Sequence, residues 1–346
     1  MSLVLALETS CDDTSAAVVR GGEVLASLVS SQHELHAPYG GIVPEVASRR
    51  HAELLDGMVA EALAEAATGW DDLDAVAVTQ GPGLIGSLLV GLAAAKAIAY
   101  RRRLPLVAVN HLQGHVAANY ALGVQAPFVC LVASGGHTLL AVVEEGVRYR
   151  VAARTMDDAA GEAFDKGARL LGLGYPGGRE LDALAARGDP RFARFPRAAR
   201  RGRDFSFSGL KTALLYDLRE RDPGEIEAHR ADIAASYQAA IVAQLVEKTV
   251  AAAAGEGLRR VALAGGVAAN AGLRAAMTER CAVEGLELTL PPVVLCTDNA
   301  AMVGLAAQHL PATPWPEYLE LDAYAGDAEA GAGRRRPAAG PARIDP

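Results

Sequence analysis

Residues 3–20 read Leu3-Val4-Leu5-Ala6-Leu7-Glu8-Thr9-Ser10-Cys11-Asp12-Asp13-Thr14-Ser15-Ala16-Ala17-Val18-Val19-Arg20. Two apolar runs flank a short acidic and hydroxyl-rich turn, the pattern of a strand, a polar turn and a second strand. Residues 24–30 add a third strand. The same unit restarts at residues 128–144, where Ser134-Gly135-Gly136-His137-Thr138 is the turn. After the first unit, residues 51–67 carry Leu54, Leu55, Met58, Val59, Ala62 and Leu63 at helical spacing. A short strand at 75–79, the turn Gln80-Gly81-Pro82-Gly83, a small-residue helix to Tyr100 and a strand at 106–109 follow. After the second unit, a strand at 261–264 runs into Gly265-Gly266-Val267-Ala268-Ala269-Asn270 and a helix. A strand-first unit that recurs predicts an α/β protein with a duplicated fold, two lobes and a cleft between them. The expected boundaries are 1–127 for the first lobe and 128–310 for the second, with a helical insertion at about 151–255. Residues 311–346 form a C-terminal extension whose Ala-, Gly-, Pro- and Arg-rich end is expected to be a largely disordered tail.

The chain has 346 residues and a net charge of −8, with 51% hydrophobic and 21% charged residues. That mix excludes a wholly disordered chain. It argues against a globally basic nucleic-acid binder while permitting a local basic groove. The first apolar run stops at Glu8 without a basic leader, so it reads as a strand rather than a signal peptide. No apolar run reaches the ~20 residues of a membrane span. Cys11, Cys130, Cys281 and Cys296 form no CxxC pair, so reduced thiols in a cytoplasmic protein are expected.

The chemistry concentrates in a few places. His111-Leu112-Gln113-Gly114-His115 sets two histidines four apart on one helix face, directly after a strand. Such a pair suits zinc or iron(II). The metalloprotease pattern would need Glu after the first His, where this chain has Leu112. Asp298 is the best third ligand, although an Asp at that loop-to-helix junction serves equally well as an N-cap. The glycine turns at Ser134–His137 and Gly265–Asn270 let the backbone approach phosphate oxygens, and with the Glu8–Thr14 turn they point to a nucleotide held between lobes. Asp165 can accept from a ribose or substrate hydroxyl, or be a plain helix carboxylate. Between Arg191 and Lys211 stand seven basic residues against one acidic, interleaved with Phe192, Phe195, Phe205 and Phe207. This is either a nucleic-acid surface with bases stacked on rings or a solvated face with core Phe. Within it Arg197, Arg200, Arg201 and Arg203 are the candidate nucleic-acid contacts.

Together these stretches resemble one family closely. Leu7-Glu8-Thr9-Ser10-Cys11-Asp12-Asp13-Thr14, Tyr39-Gly40-Gly41-Ile42-Val43-Pro44-Glu45, Gly81-Pro82-Gly83-Leu84, the histidine pair, Ser134–Thr138, Glu162-Ala163-Phe164-Asp165-Lys166, Phe205-Ser206-Phe207-Ser208-Gly209-Leu210-Lys211-Thr212 and Gly265–Asn270 are similar to the ordered motifs of the bacterial TsaD family, formerly called Gcp or O-sialoglycoprotein endopeptidase. The resemblance spans residues 3–310. It implies the ASKHA fold of actin, Hsp70 and sugar kinases. It also implies transfer of a threonylcarbamoyl group from threonylcarbamoyl-AMP to N6 of the adenine 3′ of the anticodon, in tRNAs reading codons that begin with A. On this reading His111, His115 and Asp298 hold one divalent metal per subunit, iron(II) ahead of zinc(II). Ser134, Gly135, Gly136, His137, Thr138, Asp165, Gly178, Asp182 and Asn270 contact the substrate. Gln113 departs from the Glu of many bacterial members.

The implied partners are a TsaB-like paralogue and a TsaE-like ATPase, with the helix around 84–100 either meeting a partner helix or packing inside its own lobe. Asp12 is the candidate catalytic residue, as an auxiliary acid/base or a phosphate-side group. The rivals are an ATP-dependent phosphotransferase of the same fold, a metalloprotease, and a scaffold that leaves tRNA unmodified.

Overall fold

The computed structural model describes residues 2–196 and 202–326. Its frame is two five-stranded mixed sheets of identical topology. In the first, β1 (Leu3–Glu8), β2 (Asp13–Arg20) and β3 (Glu23–Ser31) form an antiparallel meander. The chain passes through α1 (His33–His36) and α2 (Pro44–Glu65) to β4 (Ala75–Gly81), then through α3 (Ile85–Arg102) to β5 (Leu106–Asn110). β1 pairs parallel with β4, and β4 with β5, giving the order β3-β2-β1-β4-β5. α4 (His111–Ala117) starts where β5 ends.

The second sheet repeats the plan. β6 (Phe128–Ala133), β7 (Thr138–Glu145) and β8 (Arg148–Arg154) form the meander. α5 (Ala160–Leu170), α6 (Gly178–Ala185), α7 (Ser208–Glu220), α8 (Pro223–Ala228) and α9 (Arg230–Glu256) lead to β9 (Arg260–Ala264). α10 (Ala271–Glu284) then leads to β10 (Glu287–Thr289), and the order is β10-β9-β6-β7-β8. The strand at 148–154 runs into the stretch read as helical, so the helices begin only at Ala160. They are no appendage. Ile233, Tyr237, Ile241 and Leu245 of α9 are fully buried in the same core as Val129, Leu131 and Leu263 of the sheet.

The central strands are continuous apolar runs whose successive side chains point to opposite faces, so both faces of each sheet must be covered. Leu3, Leu5 and Leu7 face α2 and α3, while Val4 and Ala6 face the helix α11 (Ala300–Ala307). All eight residues of α11 are buried. Gly304 allows this, because a Cβ there would stand 2.5 Å from Val19 Cγ2. α4 turns Leu112 and Val116 toward Phe128, Cys130 and Val132 of the second sheet. α4 and α11 are therefore the layer between the sheets. α11 falls within residues 128–310 but serves the first sheet.

After α11 the chain crosses back over the first lobe. Thr313 bridges Leu106, Tyr318 is fully buried, and the Lys96 ammonium donates to the carbonyls of Leu319 and Leu321. Among the described residues no helix is long and apolar enough to cross a membrane.

Candidate active site

The site grows from the carboxyl ends of β1, β4 and β5, where a parallel arrangement leaves a crevice. Asn110 caps α4, its side-chain oxygen accepting from Leu112 N at 2.9 Å and Gln113 N at 3.4 Å. His111 is thus the first helical residue, and His115 lies one turn on. Gly114 lets α11 approach, since a Cβ there would meet Met302 Cγ at 3.2 Å. The loop before α11 then brings Asp298 to the histidines. Its Oδ1 lies 3.5 Å from His111 Nε2 and 3.3 Å from His115 Nε2. The sequence left Asp298 open between ligand and cap. Asn299 is the cap, accepting from Met302 N at 2.9 Å, so the Asp298 carboxylate faces the histidines instead.

One ligand atom from each of the three residues falls within 4.8 Å of the others, close enough to hold a metal ion. A second observation supports that fit. His115 is fully buried, yet neither ring nitrogen makes a well-aligned hydrogen bond among the described residues, Nε2 having only Asp298 Oδ1 at 3.3 Å. Such a group is costly to bury unless something else satisfies it.

Glu8 completes the arrangement. It ends the apolar run of β1 at 0% exposure. One carboxylate oxygen accepts from Ser10 N at 2.5 Å; the other accepts from the Thr79 hydroxyl at 2.6 Å and lies 3.2 Å from His111 Nδ1. That contact directs His111 Nε2 toward Asp298, the arrangement that orients a metal-binding imidazole. Burial disfavours charge on His111, but Asp298 and Glu8 outweigh it and push the imidazolium up to about 9. Burial works against ionised Asp298 as well, and His111 and His115 reverse it, holding that carboxyl well below the usual range. With neutral imidazoles the cluster carries two negative charges, matched to a divalent cation.

The turn that follows Glu8 is pinned from below. His51 of α2, fully buried, contacts the Thr14 hydroxyl at 2.7 Å and the Cys11 carbonyl at 3.0 Å. Asp12 leaves this turn half-buried and pairs with His33 Nδ1 at 3.1 Å. That hydrogen bond prevails over burial and raises His33, helped by the carboxylates of Asp13 and of Asp165 across the cleft. Arg169 of α5 also crosses, donating to the Gly40 carbonyl at 2.7 Å.

The second lobe supplies the opposite wall. The turn after β6 is folded on itself, with Ser134 N donating to the His137 carbonyl at 2.8 Å and His137 N to the Ser134 hydroxyl at 3.1 Å. Among the described residues, apart from chain neighbours, a Cβ on Gly135, Gly136 or Gly266 would meet nothing within 4 Å. These positions front open space. After His111 and His115, His137 adds a smaller contribution to lowering the Asp298 carboxyl. Other predicted residues hold the wall together. The Thr138 hydroxyl accepts from Ala160 N at 2.8 Å and so seats α5. Asp165 accepts from Gly177 N and Gly178 N at 2.9 and 3.1 Å, fixing the start of α6. Asp182 accepts from Ala271 N at 2.7 Å and from the Gln238 amide at 2.9 Å, and Asn270 caps α10 through Leu273 N.

The basic stretch is the weakest part of the sequence reading. Phe205 and Phe207 are fully buried and stack on each other, Phe195 packs edge-on against Tyr237, and Phe192 stacks on His229 beneath Arg221. The rings belong to the core or to intramolecular stacks, which favours the second of the two alternatives, core Phe beneath a charged face. Arg203 is exposed; Arg197, Arg200 and Arg201 lie outside the described residues. The sequence reading missed Glu8, Thr79 and His51 as parts of the site. A carboxylate closing an otherwise apolar strand was the available signal for Glu8.

The comparisons with known proteins agree with this geometry. The sequence model of the TsaD family, described as tRNA N6-adenosine threonylcarbamoyltransferase, matches residues 23–305. A curated protein of that description from Symbiobacterium thermophilum is 52% identical, over 94% of this chain and 96% of its own. One from Geobacter sp. strain M21 is 51% identical, over 94% and 93%. Among solved structures, HypF from T. kodakarensis aligns with a TM-score of 0.61 at 17% identity, over 88% of this chain and 47% of its own. Component A of (R)-2-hydroxyglutaryl-CoA dehydratase from Acidaminococcus fermentans aligns at 0.55 and 17%, over 89% and 98%. At such identities these two show the fold alone, the two-lobed ASKHA architecture.

Proposed function

The chain belongs to the TsaD family of tRNA N6-adenosine threonylcarbamoyltransferases, and from that premise we propose where and how the transfer takes place. Its activity is the transfer of a threonylcarbamoyl group to N6 of an adenosine in tRNA. The donor is threonylcarbamoyl-AMP, a mixed anhydride, and the acceptor is the adenine 3′ of the anticodon in tRNAs reading codons that begin with A. The observation that carries the siting is the His111–His115–Asp298 cluster, whose ligand atoms lie within 4.8 Å of one another; the open glycine turns at Gly135-Gly136 and Gly266 support it as the adenylate's side of the cleft.

The turns at Gly135-Gly136 and Gly266 take the adenylate, their backbone N–H groups facing its phosphate. Asp165, Gly178, Asp182 and Asn270 shape the ribose side of that wall. His111, His115 and Asp298 would hold a divalent ion, iron(II) ahead of zinc(II), which when bound would supply Lewis-acid polarisation of the threonylcarbamoyl carbonyl. Glu8 keeps His111 in the required orientation. The target adenine leaves the anticodon-loop stack to enter the cleft. N6 attacks the carbonyl carbon, the carbon–oxygen bond to the phosphate breaks, and AMP departs with the electron pair. Asp12 takes the proton that N6 loses.

Arg203 and its neighbours Arg197, Arg200 and Arg201 contact the tRNA backbone. A TsaB-like paralogue docks on the first lobe, where Ile85, Leu89 and Tyr100 of α3 are 41%, 44% and 50% exposed. A TsaE-like ATPase completes the cytoplasmic system. The protease reading has no support at its base position, since Leu112 is buried in the core facing the second sheet.

The test is reconstitution with threonylcarbamoyl-AMP, tRNA and the two partners, followed by nucleoside mass spectrometry. Threonylcarbamoyladenosine is the expected product. Unmodified tRNA under these conditions would overturn the reading.

A further inference from the structure

The returning C-terminal segment does more than cover the first lobe. Gln80 Nε2 donates to the Asp322 carbonyl at 2.8 Å, and Tyr324 N donates to the Gln80 carbonyl at 3.2 Å. Gly83 N reaches the Ala325 carbonyl at 3.3 Å. The segment therefore follows the end of β4. Tyr324 presses so closely on Gly81 that a Cβ there would stand 2.2 Å from the Tyr324 carbonyl oxygen and 2.7 Å from its ring. In the sheet Gly81 pairs with Asn110, which brings the Tyr324 ring over the start of α4.

Asn110 has two jobs. Its oxygen caps α4, and its amide nitrogen donates to the Tyr324 hydroxyl at 2.9 Å. The hydroxyl thereby fixes which way the amide faces, and the amide fixes the first turn of α4. His111 is the next residue. We propose that Tyr324 is a positioning residue for the metal centre, acting through the Asn110 amide on the helix that carries both histidines. This rests on the reading that His111, His115 and Asp298 bind a metal. It makes the C-terminal segment part of the frame of the site, although the segment contributes no ligand.

Tyr324→Phe removes the hydroxyl and keeps the ring over Gly81. Asn110→Ser keeps a capping oxygen and removes the amide nitrogen. Zn2+ affinity of the full chain, measured by chelator competition, falls about tenfold in each variant, the low end for partners beyond the ligands. The double variant falls no further than either single one, because both break the same contact. The thermal midpoint of the metal-free Tyr324→Phe protein stays at the wild-type value. Unchanged Zn2+ affinity in Tyr324→Phe overturns the proposal, as do additive effects in the double variant or a lowered metal-free midpoint, which would mark a merely structural role. Wild-type protein that fails to bind Zn2+ would overturn the metal site itself, a result separable from the others.

Discussion

The two sheets share one topology and differ in what fills the turns at their carboxyl ends. In the first lobe the glycines of these turns are used by the chain itself. Gly81 receives Tyr324, and Gly83 lies where a Cβ would be 2.5 Å from the Ser10 carbonyl; inside α3, Gly91 likewise receives the turn, a Cβ there standing 2.3 Å from the Thr9 hydroxyl. In the second lobe Gly265 is packed in the same way, a Cβ there standing 2.3 Å from the Ala133 carbonyl, whereas a Cβ on Gly135, Gly136 or Gly266 would meet nothing within 4 Å among the described residues beyond chain neighbours. The same fold has thus been closed at the first lobe's turns and left partly open at the second's. The closed lobe spends its turns on positioning Glu8, His111 and His115. The open lobe leaves that backbone accessible, where we propose that the adenylate's phosphate binds. A glycine in a turn is evidence for a ligand only where the chain's own packing does not already require it.

The contrast can be broken at several points, the largest effect first. Replacing His115 by Ala removes a buried ligand. Metal binding is expected to be lost and transfer to drop by about 100-fold or more, beyond the effect of changing a supporting residue. Metal analysis alongside nucleoside mass spectrometry reads both, and near-normal transfer by metal-free protein would separate the histidines from the chemistry.

The glycines give a paired test. Gly81→Ala drives a methyl into the Tyr324 backbone and is expected to destabilise the fold by about 1–3 kcal/mol. Gly136→Ala should leave stability within about 0.5 kcal/mol and weaken binding of a non-hydrolysable adenylate analogue. Denaturant unfolding and calorimetry on the two variants would erase the distinction between the lobes if the effects came out reversed or equal.

Glu8→Gln keeps an oxygen near His111 Nδ1 but removes the buried charge. Metal affinity should fall about tenfold, with the β1–β2 hairpin intact by circular dichroism. The smallest effect is expected for Gly114→Ala. Its methyl would crowd the flexible Met302 side chain at 3.2 Å, costing about 1 kcal/mol in thermal unfolding as α4 and α11 separate slightly.

Much of this was legible in the sequence. The recurring strand–turn–strand unit predicted two sheets because period-two alternation and turn chemistry are local properties. The His111–His115 spacing was legible because one helical turn fixes it. Asp298 could not be separated from a cap, since both roles use an acid at a helix start; Asn299 beside it settled the matter through a hydrogen bond that only the fold displays. Glu8 was visible as a charge ending an apolar strand, but its partners Thr79 and His111 come from two other strands' ends. The extension after residue 310 has no periodicity, so nothing local announced that Tyr318 would be buried and Tyr324 would reach Asn110. The phenylalanines of residues 192–207 misled because interleaving in sequence says nothing about which side of a backbone faces the core.

The central claim is that the closed lobe's histidines and Asp298 hold a metal at the edge of the open lobe's turns. Anomalous X-ray diffraction from Zn2+-loaded crystals tests it most directly. A single strong peak bounded by His111 Nε2, His115 Nε2 and the Asp298 carboxylate is the predicted result. A peak elsewhere, with these three side chains left as they stand in the metal-free protein, would contradict it.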